Sequence, residues 1–293
     1  MKLFHKIALV VLAAGALSSC CKKGQVTHSP KIGFSFAVKG YSSSQGSGQG
    51  DAFADGDRLR VFEVSPLALT SAGTVKDTSI ALDRPLEWTP FQTEPAVFAA
   101  VYSGGEEPGE SLNISCDLLE GGKHDYARHD RLFTSALAVP ALSDAVKFEF
   151  THPFSRILLN LTESLPSDAL DRVEISGLQT RGVLDVAAGS VSLEGGTPAF
   201  EPHEISAGTY AAVVLPQKAR TTVSVFMKGG AVYRFKTDEL SSFEGAYSYS
   251  ADLNITPEDI PDNAEPVGFS FSVSPWTDGD PLNLELDEDK THK

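Results

Sequence analysis

Apolar and polar residues alternate along this chain in short runs, and almost every run is cut off by Gly, Pro, Asp or Ser. In "AVKFEFTH", Val146, Phe148 and Phe150 fall on one side, with Lys147, Glu149 and Thr151 on the other. A period of two sends successive side chains to opposite faces of an extended strand, so each run buries one face and needs a second layer to cover it. The same reading holds for "DRLRVFEV", "SIALD", "AVFAAVYS", "SLNISC" and "RILLNLTES", and farther on for "RVEISG", "GVLDV", "SVSLEGG", "TYAAVVLP", "AYSYSADLNI" and "GFSFSVSPW". No stretch sustains a helical apolar period, although "LLEGGKHDYARHDRLF" could carry a turn of helix. "VFMKGGAVYRF" has two β-rich arms around Gly229-Gly230, where a hairpin turn needs positive φ. Many strands at close spacing with Gly/Pro turns predict an all-β chain built of sandwiches.

The length of 293 residues suits one large or two medium domains, and an apolar content of 41% can fill their cores. The boundary is expected near "LSDAVKFEF", giving an N-terminal β-sandwich over 31–145, a C-terminal β-sandwich over 146–287 and a charged tail over 288–293. The first strand, in "KIGFSFAVKG", sets Ile32, Phe34, Phe36 and Val38 on one face. Residues 39–52 then run through "YSSSQGSGQGD", which has no apolar period and reads as a loop open to proteases. Residues 31–38 are therefore a strand weakly joined to the rest of the chain, and a candidate for removal.

At the N-terminus, Lys2, His5 and Lys6 precede an apolar run from Ile7 to Leu17 and small residues before Cys20. This is the layout of an export signal, too short to span a bilayer. "LSSC" is similar to the lipobox of bacterial lipoproteins, where a diacylglyceryl group is added to the cysteine and cleavage makes it the new N-terminus. The resemblance implies a signal peptide over 1–19, lipidation (palmitate-type acyl chains) at Cys20, and a tether over 20–30. An ordinary secretory signal, or a start at Cys21, are the alternatives. Each buried methylene contributes about 0.8 kcal/mol, so two or three acyl chains anchor a protein without any transmembrane helix. Beyond Cys20 and Cys21 only Cys116 remains, which leaves no internal disulfide pair. The net charge of −15 repels nucleic acid and anionic lipid.

Few side chains point to chemistry. "KHDYARHD" brings His124, Asp125, His129 and Asp130 close together, but the histidine spacing fits no helical ligand pair and no distant partner is evident, so a polar loop is the reading. "DAFADGD" and "TDGDP" cluster carboxylates without the spacing of a calcium loop, and Asp-Gly turns explain both. No nucleophile elbow, phosphate loop or zinc-protease helix is present. The expectation is no enzyme, no metal and no cofactor.

Five segments, in order, resemble a known family. "ADGDRLRVFEV" is similar to an early strand of the fimbrillin-like proteins, the lipoprotein precursors of Bacteroides-type fimbriae, also called type V pili. "FEFTHPFSRILLNL" resembles their Phe-x-His strand, "VVLPQ" their Leu-Pro-Gln turn, "FEGAYSYSADL" their Tyr-x-Tyr strand, and "WTDGD" their closing Trp motif. The resemblance implies two transthyretin-like β-sandwiches carried to the cell outer membrane, surface-exposed, and found in the fimbrium if processed. It implies a subunit or anchor that contributes to cell adhesion and joins other fimbrial subunits by β-strand addition. In family members that polymerise, an Arg- or Lys-specific protease removes the first strand with its lipid, and an extended segment of another subunit fills the groove.

On this template Lys39 is the candidate processing site, and Ile32, Phe34, Phe36 and Val38 are the groove-filling residues. Arg58 and Arg60 are rivals that lie in or against a strand. The best-described processing in the family follows arginine, and the lysine here leaves room for an unprocessed anchor. Lys22 and Lys23 stand where surface lipoproteins of these bacteria often carry acids. "GFSFAV" (33–38) and "GFSFSV" (268–273) agree at five of six positions, which makes Phe269, Phe271 and Val273 a candidate donor strand. The other reading of that likeness is two strands with a common alternating pattern, the second belonging to its own core. A monomeric lipid-anchored module that binds a host protein or glycan through its loops is the alternative function.

Overall fold

The computed structural model describes residues 30–39, 53–103, 107–120, 123–124, 126–162, 170–255 and 266–276. The expected signal peptide, Cys20, residues 40–52, Asp125, "TDGDP" and residues 288–293 lie outside the described residues. Almost everything described is strand. The first half holds β1 (Gly33–Val38), β2 (Arg58–Ser65), β3 (Leu69–Lys76), β4 (Ser79–Leu82), β5 (Ala96–Tyr102), β6 (Asn113–Asp117), β7 (Leu119–Glu120), β8 (Lys123–His124), the single helical turn α1 (Tyr126–His129), β9 (Leu132–Val139) and β10 (Ala145–Phe150). The second half holds β11 (Ser155–Thr162), β12 (Leu170–Ser176), β13 (Arg181–Asp185), β14 (Ser190–Glu194), β15 (His203–Ser206), β16 (Thr209–Val214), β17 (Gln217–Ala219), β18 (Thr222–Met227), β19 (Val232–Thr237), β20 (Ser241–Phe243), β21 (Tyr247–Asn254), β22 (Val267–Phe269) and β23 (Ser272–Pro275). Among the described residues no helix is long and apolar enough to cross a membrane.

Seven strands form one sheet in the order β10-β1-β4-β3-β2-β5-β9. Its two ends approach each other, since Phe133 and Thr151 form an isolated bridge beside β9 and β10. The inner face closes over Leu59, Val61, Trp88, Phe98, Phe148 and Phe150, all buried. Farther along, a five-stranded sheet (β15-β16-β11-β21-β23) and a four-stranded sheet (β12-β18-β19-β22) enclose a second core around Ile157, Leu159, Ile175, Val223 and Val225. The hairpin read from Gly229-Gly230 joins β18 to β19, with Gly230 at φ 90° and its N–H donating to the Met227 carbonyl at 2.8 Å.

The change of sheet falls later than the sequence suggests. The expected boundary at 145/146 puts β10 in the second unit, yet β10 pairs in parallel with β1 along its whole length, from Gly33 and Ala145 to Val38 and Phe150. The alternation in "AVKFEF" signals a strand but not which sheet it joins, and a parallel partner more than a hundred residues away leaves no local trace. Another strand crosses the other way: β6 from the first half pairs with β13, in a three-stranded sheet with β14.

A third cluster lies between the two cores and draws on both halves, with Phe62, Val101, Cys116 and Phe133 meeting Phe154, Val213, Leu215 and Trp276. Close approach of backbones is needed here. A side chain at Gly245 would put its Cβ 2.7 Å from the Pro153 carbonyl oxygen. Gly245→Ala is therefore expected to cost about 1–3 kcal/mol, read as a lower urea midpoint with unchanged m-value. At the end of β2, Glu63 is buried at 3% exposure, and burial pushes its carboxyl above the ordinary 4.5 despite the Leu67 N–H that favours its charged form. A raised acid stabilises the fold at low pH and loses that contribution as pH rises past 4.5. Glu63→Gln should accordingly gain thermal stability over the wild type at pH 7 and lose the advantage at pH 4.

Candidate functional site

The candidate site is the slot that β1 occupies in the seven-stranded sheet. β1 is an internal strand, yet its two neighbours hold it unequally. Toward β10 it keeps register over six residue pairs, and the pairing runs on where the Lys39 N–H donates to the Phe150 carbonyl at 2.8 Å. Toward β4 only Ser35 and Ser79 pair, with the Phe36 N–H reaching the Thr78 carbonyl at 3.3 Å. The strand is thus zipped to β10 and pinned to β4 at a point.

Side chains supply the rest of the hold. Ile32 and Phe34 are buried, at 7% and 4% exposure, while Phe36 and Val38 are half-buried against the same core. Phe34 stacks on Phe148 at 5.7 Å between ring centres and meets Phe98 edge-on at 5.6 Å. Phe36 packs edge-on against Phe53 at 4.8 Å and Phe150 at 6.3 Å. A fully buried side chain of this size stabilises by about 1.5–3 kcal/mol. The four together contribute on the order of 5 kcal/mol, a large share of the ~5–15 kcal/mol that holds a domain together. Without β1, two strand edges would be unpaired and the rings of Phe98, Phe148 and Phe150 would lose their cover. Such a slot accepts an extended strand with apolar side chains at alternate positions.

The face chosen by alternation, with Ile32, Phe34, Phe36 and Val38, is the face that packs inward. Lys39 follows in an exposed turn at the end of the paired stretch. Arg58 and Arg60 stand differently, in β2 with β3 on one side and β5 on the other. Arg58 meets Asp83 at 2.6 Å, which raises its pKa and lowers that of Asp83, and Arg60 is buried beside Glu107. Phe53 went unnoticed in the sequence: it packs on Phe36, Tyr102 and Phe150, and its only sign was a lone aromatic among acids in "DAFADGD". The acids around it fold turns. Asp57 Oδ2 accepts the Ala54 N–H at 2.8 Å, and Asp55 Oδ1 accepts the Asp77 N–H at 2.9 Å.

The C-terminal look-alike has a different setting. "GFSFAV" is one unbroken strand, whereas "GFSFSV" divides between β22, parallel to β19 at the edge of the four-stranded sheet, and β23, antiparallel to β21 at the edge of the five-stranded sheet. Phe269 and Phe271 are half-buried against the second core, where Phe271 meets Phe243 at 5.6 Å and Tyr249 at 6.2 Å, while Val273 is 57% exposed. The two segments therefore lie over different cores.

The motif residues meet elsewhere. His152 stacks flat on Trp276, with ring centres 3.9 Å apart and planes 1° from parallel. The Arg156 guanidinium carbon lies 5.2 Å from the same indole, and Arg156 Nε donates to Ser248 Oγ at 3.1 Å. Asp130 lies 2.9 Å from His152 Nδ1. His124 Nε2 sits 3.1 Å from both the N–H and the carbonyl of Val213. Among the described residues no group of three or more His, Cys, Asp or Glu is placed to hold a metal ion. Trp88 is a core residue whose Nε1 donates to the Ser143 carbonyl at 3.1 Å.

Comparison with known proteins adds to this geometry. The model of the fimbrillin-like family matches residues 50–276. A candidate cell adhesion protein from Bacteroides uniformis ATCC 8492 superposes with a TM-score of 0.65 at 16% identity, covering 87% of this chain and 100% of that one. Another from Bacteroides ovatus ATCC 8483 gives 0.58 at 14% identity, covering 85% and 96%. The tip fimbrial protein Mfa3 from Porphyromonas gingivalis gives 0.47 at 11% identity, covering 84% and 100%. No curated protein matches in sequence.

If Phe34 anchors the slot, Phe34→Ala should destabilise the fold by about 3–5 kcal/mol and Phe36→Ala, half-exposed, by clearly less. Equal losses in urea melts would contradict this ranking.

Proposed function

The chain belongs to the fimbrillin-like family, and on that premise we propose that it is a fimbrial subunit or anchor, made as a precursor lipidated at Cys20, that assembles by strand complementation and contributes to cell adhesion. In this reading the chain folds as two transthyretin-like sandwiches and reaches the outer membrane through its lipid. β1 holds the groove in the precursor. Cleavage after Lys39 releases β1 with the lipid, and an extended segment of another subunit takes its place between β10 and β4.

One observation carries the proposal: a strand with six parallel pairs to β10 has, on its other side, a single pair to β4 and the Lys31–Glu87 bridge just before it, and it ends at an exposed lysine. Unequal pairing lets such a strand leave by unzipping one edge, and the apolar slot it vacates demands a replacement. The replacement need not be "GFSFSV". Phe269 and Phe271 already serve this chain's own core, which favours the simpler origin of the repeat. The same packing gives weight to the second reading, a lipid-held monomer that keeps β1 and binds through its loops.

The two readings differ at the mature N-terminus. Protein from native cells should contain a lipid-free form starting near Gly40, and Lys39→Gln should leave the full-length lipoprotein in its place. A mass spectrum showing only acylated Cys20 in the wild type would instead favour the permanent tether.

A further inference from the structure

The end of the seven-stranded sheet at which β1 begins carries three loops of one design. Strand register groups them: Ser65 pairs with Val97, Ala96 with Val139 and Gly33 with Ala145, so the loops 66–68, 83–95 and 140–144 share that end. The hydrogen bond from Trp88 Nε1 to the Ser143 carbonyl ties the second loop to the third. Each loop holds a non-glycine residue at positive φ, namely Ala68 at 52°, Phe91 at 64° and Leu142 at 60°. Backbone of this kind normally selects Gly or Asn, and a bulky residue there is unusual enough to suggest a functional constraint.

Each loop also points an apolar side chain at solvent. Leu67 is 46% exposed, Leu142 52% and Phe91 94%. Phe91 is held out on a well-bonded turn: the Gln92 N–H donates to the Thr89 carbonyl at 3.1 Å, Thr89 Oγ1 to Gln92 Oε1 at 2.9 Å, and Gln92 Nε2 to the Glu94 carbonyl at 3.0 Å. Of the nine large apolar residues exposed among the described residues, five (these three, Leu69 and Leu137) lie toward this end.

The chain enters the fold at the same place. The Trp88 N–H donates to the Pro30 carbonyl at 3.0 Å, the Ile32 N–H donates to the Leu86 carbonyl at 2.9 Å, and Lys31 bridges to Glu87. Pro30 is thereby fixed beside the Phe91 loop, ten residues after Cys20. Ten residues reach at most ~36 Å. With acyl chains on Cys20, this end of the sheet cannot leave the neighbourhood of the bilayer. We infer that the loop tips bearing Leu67, Phe91 and Leu142 dock into the interfacial layer of the membrane that holds the lipid on Cys20. The inference rests on the proposed lipidation. Exposed charges nearby are Lys31 and Arg84 against Asp83, Glu87, Glu94 and Asp144, so among the described residues no basic cluster at this end draws in anionic headgroups. The contact is apolar and suits a zwitterionic surface.

The test uses the full lipidated protein in vesicles of phosphatidylethanolamine and phosphatidylcholine, the latter brominated on its acyl chains. Phe91→Trp places a reporter on a side chain the fold does not use, and Leu240→Trp, at an exposed site between β19 and β20, is the control. Above the shared background of Trp88 and Trp276, the reporter at position 91 should lose emission by about twofold or more and the control should not. Equal quenching of both, or of neither, with the acyl group on Cys20 verified by mass spectrometry, overturns the docking and leaves the lipid anchor standing. A blue shift at position 91 that follows protein concentration, without bromine quenching, assigns the patch to a second copy and also overturns it. A chain that carries no acyl group on Cys20 removes the anchor reading itself and the docking with it.

Discussion

The parallel pairing of β1 with β10 is the contact on which the N-terminal sheet depends. β10 has β1 as its partner strand in that sheet, so the order β10-β1-β4 makes a strand from the start of the chain the link between its neighbours. Register over six pairs puts Phe36 opposite Phe148, and the diagonal ring contacts Phe34–Phe148 and Phe36–Phe150 in turn hold that register. A shift of one residue would turn every phenylalanine of β1 away from the core. The strand's place in the sheet is specified by a pattern of alternate apolar side chains plus backbone, which is all that the proposed exchange asks of a replacement.

The family-like motifs have a physical explanation that is separate from that slot. Phe62, Phe154, Leu215 and Trp276 come from four of the five segments and meet in the cluster between the two cores. There Trp276 is covered by His152, approached by Arg156, and bonded through its backbone N–H to the Ala246 carbonyl at 2.8 Å. A buried indole with an imidazole stacked on it and a guanidinium nearby demands particular residue types, whereas the slot asks only for alternation. The motifs therefore mark how the sheets are joined, and β1, outside the matched span of 50–276, carries its information in spacing.

Much of the strand content was legible because a period of two survives in a single sequence. "AVKFEF", "GFSFAV" and the Gly229-Gly230 hairpin all lie where alternation and turn chemistry put them. What alternation cannot encode is partnership. β10 looked like the opening of a second unit because a loop precedes it, and its partner lies at the far end of the first. β6 likewise leaves its sequence neighbours for β13. At the site, the inward face of β1 was legible and Phe53 was not, because a single aromatic in an acidic turn has no period to reveal it. The likeness of "GFSFAV" to "GFSFSV" is limited for a related reason: shared letters fix a face but not whether a strand continues, and the second copy breaks between two sheets.

The proposed exchange requires that β1 fill its slot as a replaceable strand. It is tested by nicking the folded protein after Lys39 with a lysine-specific protease and adding an excess of labelled peptide with the sequence of residues 31–39. Labelled peptide is expected to displace the nicked segment under native conditions, with hydrogen exchange in β10 rising during the swap and recovering afterwards. Incorporation only at denaturant concentrations that unfold the whole sheet would contradict it and make β1 an ordinary core strand.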